Sequence, residues 1–339
     1  MTTPPRPDDV GKLTDPQADE QAEGPRRVGT VRARTSALSR LVTVVAVAGP
    51  PLGLVVAVID LWGSRVGPLD LAVLAGFYAA GGVAISVGYH RLFAHKAFSA
   101  PPAVRAVLAV LGSITLQGPV TQWVTDHRKH HAFSDRPGDP HSPHTSGPGW
   151  GGALRGFVHA HVGWMFVTKG MERGDAYGRD LYEDRLIRVI DRLYMVWVAL
   201  SVGGPFLIGW VVRGTVGGGV QAMMWGGLLR IFLFHHATFS VNSICHLFGR
   251  RPYETRDRSR NNWVVAIVTF GEGWHNNHHG FPRSARLGLT AWQYDPGWWL
   301  VWVLEALGWA AQVRVPVSCT GATARPLARP AWSGPTARH

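Results

Sequence analysis

Cysteine is scarce in this chain of 339 residues: there are two, Cys245 and Cys319. Two thiols cannot make a disulfide framework, and the four thiolates of a structural zinc or iron–sulfur site are missing. Any metal must therefore be held mainly by nitrogen. Acid is also in short supply, with 22 Asp and Glu against 34 Lys and Arg and a net charge of +12. Such an excess suits nucleic acid or an anionic membrane leaflet. Charge of either sign is absent from Leu41 to Ile59 and again from Leu71 to Tyr89, which favours the membrane. The first forty residues lack an early apolar segment that would read as a secretory signal, so insertion is expected to rely on the first internal apolar stretch. The serines and Cys245 have no nearby base pattern that would suggest covalent catalysis.

What is present is a set of apolar segments of bilayer length separated by histidine-rich ones. Four spans are expected, at about 41–62, 70–90, 193–213 and 216–245, each near the roughly 20 residues that cross a hydrocarbon core. They pair as two hairpins, the first turning at Gly63, Gly67 and Pro68 and the second near Gly217 to Gly219. The two hairpin turns carry one basic residue each, Arg65 and Arg213, whereas the segments on the other side are rich in them. The positive-inside rule then places both termini and the histidine-rich segments in the cytoplasm, in a multi-pass protein of the cell membrane. Ala103 to Val124 is apolar enough to look like a fifth span, but crossing would part His90 from His127, and Gln117, Gly118 and Pro119 interrupt it. An interfacial or re-entrant segment returning to the same side is expected instead. Arg230, at membrane depth, is expected to snorkel or pair inside the bundle rather than meet substrate. Residues 1–38 and 313–339 read as disordered tails around a membrane domain at 39–312.

Three of the 16 histidines stand in GEGWHNNHHGFP, residues 271–282. At 100° per residue His275, His278 and His279 share one sector of a helix, so their rings can point at one spot. His127, His130 and His131 in HRKHH repeat the pattern, and His90 and His95 in HRLFAH stand five apart, about 140° on an ideal helix. One of that pair is expected beyond a helix end, with His90 closing the second span. His246 follows the fourth span, and Asn242 precedes it by one turn. Nine imidazoles are too many for one ion; two ions with four or five ligands each use them all and leave positions open for oxygen. Imidazole alone does not choose the metal, but a dinuclear site beside a membrane core suggests iron activating oxygen against a hydrocarbon. Asp126, Asp139 and Glu272 are expected to orient the rings. His141, His144, His159, His161 and the pair at 235 and 236 read as loop or packing residues, and Trp123 as core or tunnel wall.

GYHRLFAHKAF, DHRKHHAFSDRPGDPH, HVGWMF, NSICHLFG and NNWVVAIVTFGEGWHNNHHGFP, in that order over residues 40–305, resemble the membrane fatty-acid desaturases of the stearoyl-CoA desaturase type. The resemblance implies an all-α integral membrane protein, a four-helix bundle under a cytoplasmic helical cap holding a di-iron site. It implies oxygen-dependent insertion of a cis double bond, commonly Δ9, into a saturated long-chain acyl-CoA. It carries the ligand role onto His90, His95, His127, His130, His131, His246, His275, His278 and His279, with Asn242 reaching a metal through water. Arg155, Lys169, Arg185 and Arg188 are available for a coenzyme A head group. No His-Pro-Gly-Gly haem motif follows the last histidine box, so a separate ferredoxin, rubredoxin or cytochrome-type donor with its reductase is implied. Asn277 stands where the familiar eukaryotic sequences of the family usually have an aromatic residue. An acyl-lipid desaturase or membrane fatty-acid hydroxylase is the nearest alternative, and a histidine-rich metal transporter or sensor a distant one.

Overall fold

The computed structural model describes residues 37–63, 66–167 and 174–316. Arg65, Lys169 and the tail segments 1–36 and 317–339 lie outside the described residues. Within them the chain is helical, with three isolated β-bridges and no strand. The principal elements are α1 (Ala37–Trp62), α2 (Pro68–Ala94), α3 (Pro102–Ser113), α4 (Val120–Phe133), α5 (Gly149–Val158), α6 (Arg185–Arg192), α7 (Tyr194–Arg213), α8 (Val216–Leu247), α9 (Trp263–Val268), α10 (His275–Gly280) and α11 (Pro296–Ala306). Three of these, α2, α7 and α8, are long and apolar enough to cross a membrane. In α1 the apolar stretch Gly49–Leu61 is shorter, and Pro50 and Pro51 lie inside the helix.

One buried carboxylate locks the far end of the bundle. Pro68 opens α2 with its ring where no N–H is needed, and Asp70 Oδ2 accepts from the Gly67 N–H at 3.0 Å. The same oxygen accepts from Arg213 at 2.7 Å and Gln221 at 2.9 Å, tying α2 to both arms of the second hairpin. Small residues let the helices close up: a Cβ on Gly226 would stand 2.3 Å from Val73 Cγ1, and one on Gly53 would stand 2.4 Å from the Leu229 nitrogen. Apolar residues cover the outside of α7, with Leu207, Trp210, Val211 and Val212 all exposed.

The last eleven residues of α2, Ala84–Ala94, wind as a π-helix. The His95 N–H continues that winding, donating to the His90 carbonyl at 3.1 Å. This corrects the expectation that His90 closes the span: His90 lies inside the wide turn and His95 caps it. A π turn takes more residues than an α turn, so a spacing of five brings the two rings to one side, centroids 4.9 Å apart.

The apolar segment after α2 breaks as expected. α3 stops at Ser113, and the chain reverses through Leu116 and Gly118, whose φ angles of 63° and 120° are left-handed. α4 then returns His127 to His95, the Nε2 atoms 2.7 Å apart. At the other end of the domain, Arg314 donates its N–H to Ala97 and accepts from Ala285 through its carbonyl. Residues 313–316, expected in the tail, are therefore stitched to the folded domain; composition alone does not register such backbone pairing.

Arg230 is 1% exposed and points into the bundle, where it donates to the carbonyls of Gly226, Ile114 and Ser201 and to Ser201 Oγ. It thus joins α7, α8 and the break after α3. Arg230→Ala is expected to lower stability by about 2–4 kcal/mol through a cavity and orphaned carbonyls. Thermal unfolding of the detergent-solubilised protein checks this.

Candidate metal centre

The nine expected imidazoles meet, and they divide five and four. The ligand atoms of His90, His95, His127, His131 and His278 all lie within 4.8 Å of one another, and those of His130, His246, His275 and His279 do likewise. Each box is shared out rather than aimed at one spot. His127 and His131 enter the first group while His130 enters the second; His275 and His279 enter the second while His278 enters the first. The helix explains the division. Residues i and i+4 differ by about 40° around the axis, whereas i+3 falls about 60° to the other side. The i, i+4 pairs stay together, and the odd member turns to the neighbouring group.

Within each group the Nε2 edges face inward. His278 Nε2 stands 3.0 Å from His90 Nε2 and 2.8 Å from His131 Nε2, and His246 Nε2 stands 3.0 Å from His275 Nε2. Two nitrogens about 2.1 Å from one ion and at right angles are about 3.0 Å apart, so these spacings are those of ligands around a metal. His130 Nε2 and His279 Nε2 are buried and have no hydrogen-bond partner. A cation would satisfy both. Burial pushes His95, His127, His131, His275 and His278 well below the ordinary imidazole pKa, with neighbouring histidines adding to the shift. Neutral rings keep the lone pair that a metal needs.

Carboxylates fix several rings from behind. His130 Nδ1 bonds Asp139 at 3.0 Å, His246 Nδ1 bonds Asp135 at 2.8 Å, and His279 Nδ1 bonds Asp257 at 2.7 Å. His90 Nδ1 faces Glu272 Oε2 at 2.5 Å. Glu272 Oε1 in turn accepts from Ser86 Oγ at 2.6 Å. In each case Nδ1 is engaged and Nε2 is left to the group. Burial opposes ionisation of Asp135, Asp139 and Asp257, but the adjoining imidazoles outweigh it and hold all three below the usual carboxylate range.

The fatty acid desaturase profile matches residues 69–315, a range that takes in both groups. The chain belongs to the fatty acid desaturase family. It is 42% identical over 271 residues to a hex-5-enoyl-[acyl-carrier protein] acetylenase of Moorena producens (strain JHB), covering 79% of this chain and 84% of that one. It is 37% identical over 250 residues to an icosanoyl-CoA 5-desaturase of Limnanthes douglasii, with 72% and 64% covered. It is 35% identical over 242 residues to an sn-1 stearoyl-lipid 9-desaturase of Anabaena variabilis, with 70% and 81% covered. The relatives differ in double-bond position and acyl carrier, so the family fixes an oxidoreductase of the desaturase class, with histidine groups compatible with a di-iron site.

The remaining expected residues of this desaturase fall into place unevenly. Asp139 stands behind His130 and Glu272 behind His90, and Asp126 accepts from the Gln122 amide. Asp135 and Asp257 carry the same role, to His246 and His279, without a sequence signal of their own. Asp135 lies inside the second box segment, but Asp257 sits in the arginine-rich loop after α8, with nothing local to mark it. Asn242 is half-buried one turn before His246 and makes no side-chain hydrogen bond among the described residues. Asn277 is a structural clip: its amide donates to Leu287 O and Gln293 and accepts from Asn261. Trp123 stacks on His127 with centroids 5.0 Å apart and donates to Gln117, which donates to Thr238. His144 and His159 bond the carbonyls of His246 and Pro140, and His235 that of Thr115, as packing residues do. Arg155, Arg185 and Arg188 are all exposed, and Arg155 donates to Ser146 O.

Proposed function

We propose that this desaturase introduces a cis double bond, at Δ9, into a saturated long-chain acyl-CoA, with oxygen as co-substrate and electrons from a separate ferredoxin, rubredoxin or cytochrome-type donor. The observation that carries the reading is the division of nine buried imidazoles into groups of five and four with inward Nε2 edges. The five-histidine group would hold one iron and the four-histidine group the other, with Asn242 reaching a metal through water. When bound, a di-iron centre supplies oxygen activation and the oxidising power that removes two hydrogens from adjacent methylenes, the oxygen leaving as water. The chain's own part is to position and to exclude. Reacting methylenes have no polar handle, so regiochemistry must come from an apolar channel that holds a measured length of acyl chain. Trp123 forms a wall of that channel, because it stacks on His127 and its indole is fixed by the Gln117–Thr238 pair.

Membrane topology follows the same reading. α1 completes the first hairpin as a fourth span, and both termini and the histidine groups face the cytoplasm, where a soluble electron donor reaches them. Arg155, Arg185 and Arg188 are exposed for a coenzyme A head group, and Lys169 is assigned there with them. A second carrier is favoured by the stearoyl-lipid 9-desaturase among the relatives: the same chemistry on a glycerolipid. Both are tested by reconstitution with oxygen, a ferredoxin-type reductant and either stearoyl-CoA or a stearoyl glycerolipid, with the product's double bond mapped by mass spectrometry. A Δ9 alkene from stearoyl-CoA is expected. A hydroxy acid without an alkene would overturn the desaturation reading, and product from the glycerolipid alone would move the carrier.

A further inference from the structure

We propose that α9, between the fourth span and the last histidine box, is a re-entrant element whose outer face is bathed by the acyl chains of the same bilayer. The proposal rests on the membrane reading of α2, α7 and α8 and goes beyond it, since α9 is neither long enough to span nor part of the metal centre. The first observation is depth. Tyr78 donates its hydroxyl to the Val268 carbonyl at 2.8 Å, and Ser86 Oγ donates to the Phe270 carbonyl at 3.2 Å. Both donors lie on α2, eight and sixteen residues beyond the Asp70 clip. At 1.5 Å per residue these are about 12 and 24 Å along the helix, inside a hydrocarbon core of about 30 Å. The C-terminal end of α9 is therefore held at membrane depth. Phe270 fixes it there: a Cβ on Gly82 would stand 2.2 Å from the Phe270 ring.

The second observation is satisfaction of the backbone. A helix ending in hydrocarbon leaves carbonyls that lipid cannot bond, a cost of several kcal/mol each. Here two hydroxyls, placed on an otherwise apolar helix, meet those carbonyls. At the other end of α9 the Asn262 side chain accepts from the Val265 N–H. The chain then turns through Phe270 and Gly271, both with left-handed φ, and climbs back to His275.

The third observation is the surface. From Asn261 to Gly271 there is no charged residue. Val265 and Ala266 are buried against α8 and the Trp274 cluster, whereas Trp263, Val264, Ile267 and Val268 on the opposite face are 63, 52, 50 and 39% exposed. Water would penalise such a face, and no described element covers it. α11, whose Gly297 abuts Arg91 and Ser86 and whose cap residue Asp295 lies against Gly271 in the turn after α9, shows exposed Trp299 and Trp302. Exposed Arg250, Arg251, Arg256 and Arg258 precede α9. Tryptophans beside a basic rim mark the level of anionic headgroups, so the face below them meets acyl chains.

The test is spin labelling of the full chain in liposomes on a Cys319→Ser background, in which the buried Cys245 does not label. Labels are placed at Ile267→Cys, at Leu207→Cys on the outer face of α7, and at Arg256→Cys. Collision with oxygen, which concentrates in hydrocarbon, is compared with collision with a water-soluble nickel chelate. The oxygen-to-nickel ratio at Ile267 is expected to match Leu207 and to exceed Arg256 severalfold. A nickel-accessible Ile267 beside a lipid-exposed Leu207 would overturn the re-entrant assignment while leaving the membrane reading intact. If Leu207 were also nickel-accessible, the membrane reading itself would fail and take the assignment with it. Dipolar broadening between Ile267 labels, showing a second copy on this face, would likewise overturn it.

Discussion

His246→Ala is expected to cut the iron content from two ions per chain to one and to lower desaturation by at least about 100-fold, since even changes behind a ligand cost 10–100-fold. The residue belongs to no histidine box. It arrives from the end of α8 and joins three box residues, His130, His275 and His279, with its Nε2 3.0 Å from His275 Nε2. The five-histidine group keeps four imidazoles after losing any one, but this group would keep three. The substitution also strips Asp135 of its bond to His246 Nδ1, leaving a buried carboxylate with Ser142 and the Arg258 N–H as its partners among the described residues. Iron per chain, measured by metal analysis, and product yield should therefore fall together. Phe248→Ala, at an exposed position two residues on, is expected to change neither. Retention of two irons by His246→Ala would show that the boxes alone hold the metals.

How much of this is legible in the sequence differs from residue to residue. That nine imidazoles would be gathered could be read because the boxes repeat a short helical spacing and His246 follows an apolar run. How they divide could not, because a spacing of three or four residues gives angles about one axis and says nothing of where two centres lie around it. His90 and His95 show the limit more sharply: a spacing of five scatters on an α-helix and converges on a π-helix, and no residue type in AISVGYHRLFA announces the wider turn. The apolar runs behind α2, α7 and α8 were legible from missing charge alone. The helix break at Leu116 to Gly118 was legible from Gln, Gly and Pro together. Asp257 was invisible because its partner is 22 residues away in sequence, across a loop whose composition reads as a solvated basic face.

That loop carries the second large effect. Asp257→Asn is nearly isosteric, yet it is expected to weaken iron binding by about 10–100-fold. Asp257 Oδ2 accepts from His279 Nδ1 at 2.7 Å, while Oδ1 accepts from the Ser259 N–H and from Thr255 Oγ1. Both carboxylate oxygens are thus acceptors for donors that cannot reverse without cost. An asparagine amide can present only one oxygen. If its NH2 faces His279, the ring must accept at Nδ1 and carry its proton on Nε2, the buried atom that has no partner and faces the metal group. If its NH2 faces Ser259 instead, two N–H donors meet and the loop must shift. The first outcome withdraws a ligand without removing a histidine, and the second displaces the loop that orients it. Competition for iron by a chelator should show the loss in Asp257→Asn, whereas Glu254→Gln, an exposed acid in the same loop, should bind as the unmodified chain does. Unchanged iron affinity in Asp257→Asn would mean that His279 does not ligate through Nε2, and the four-histidine group would then shrink to three.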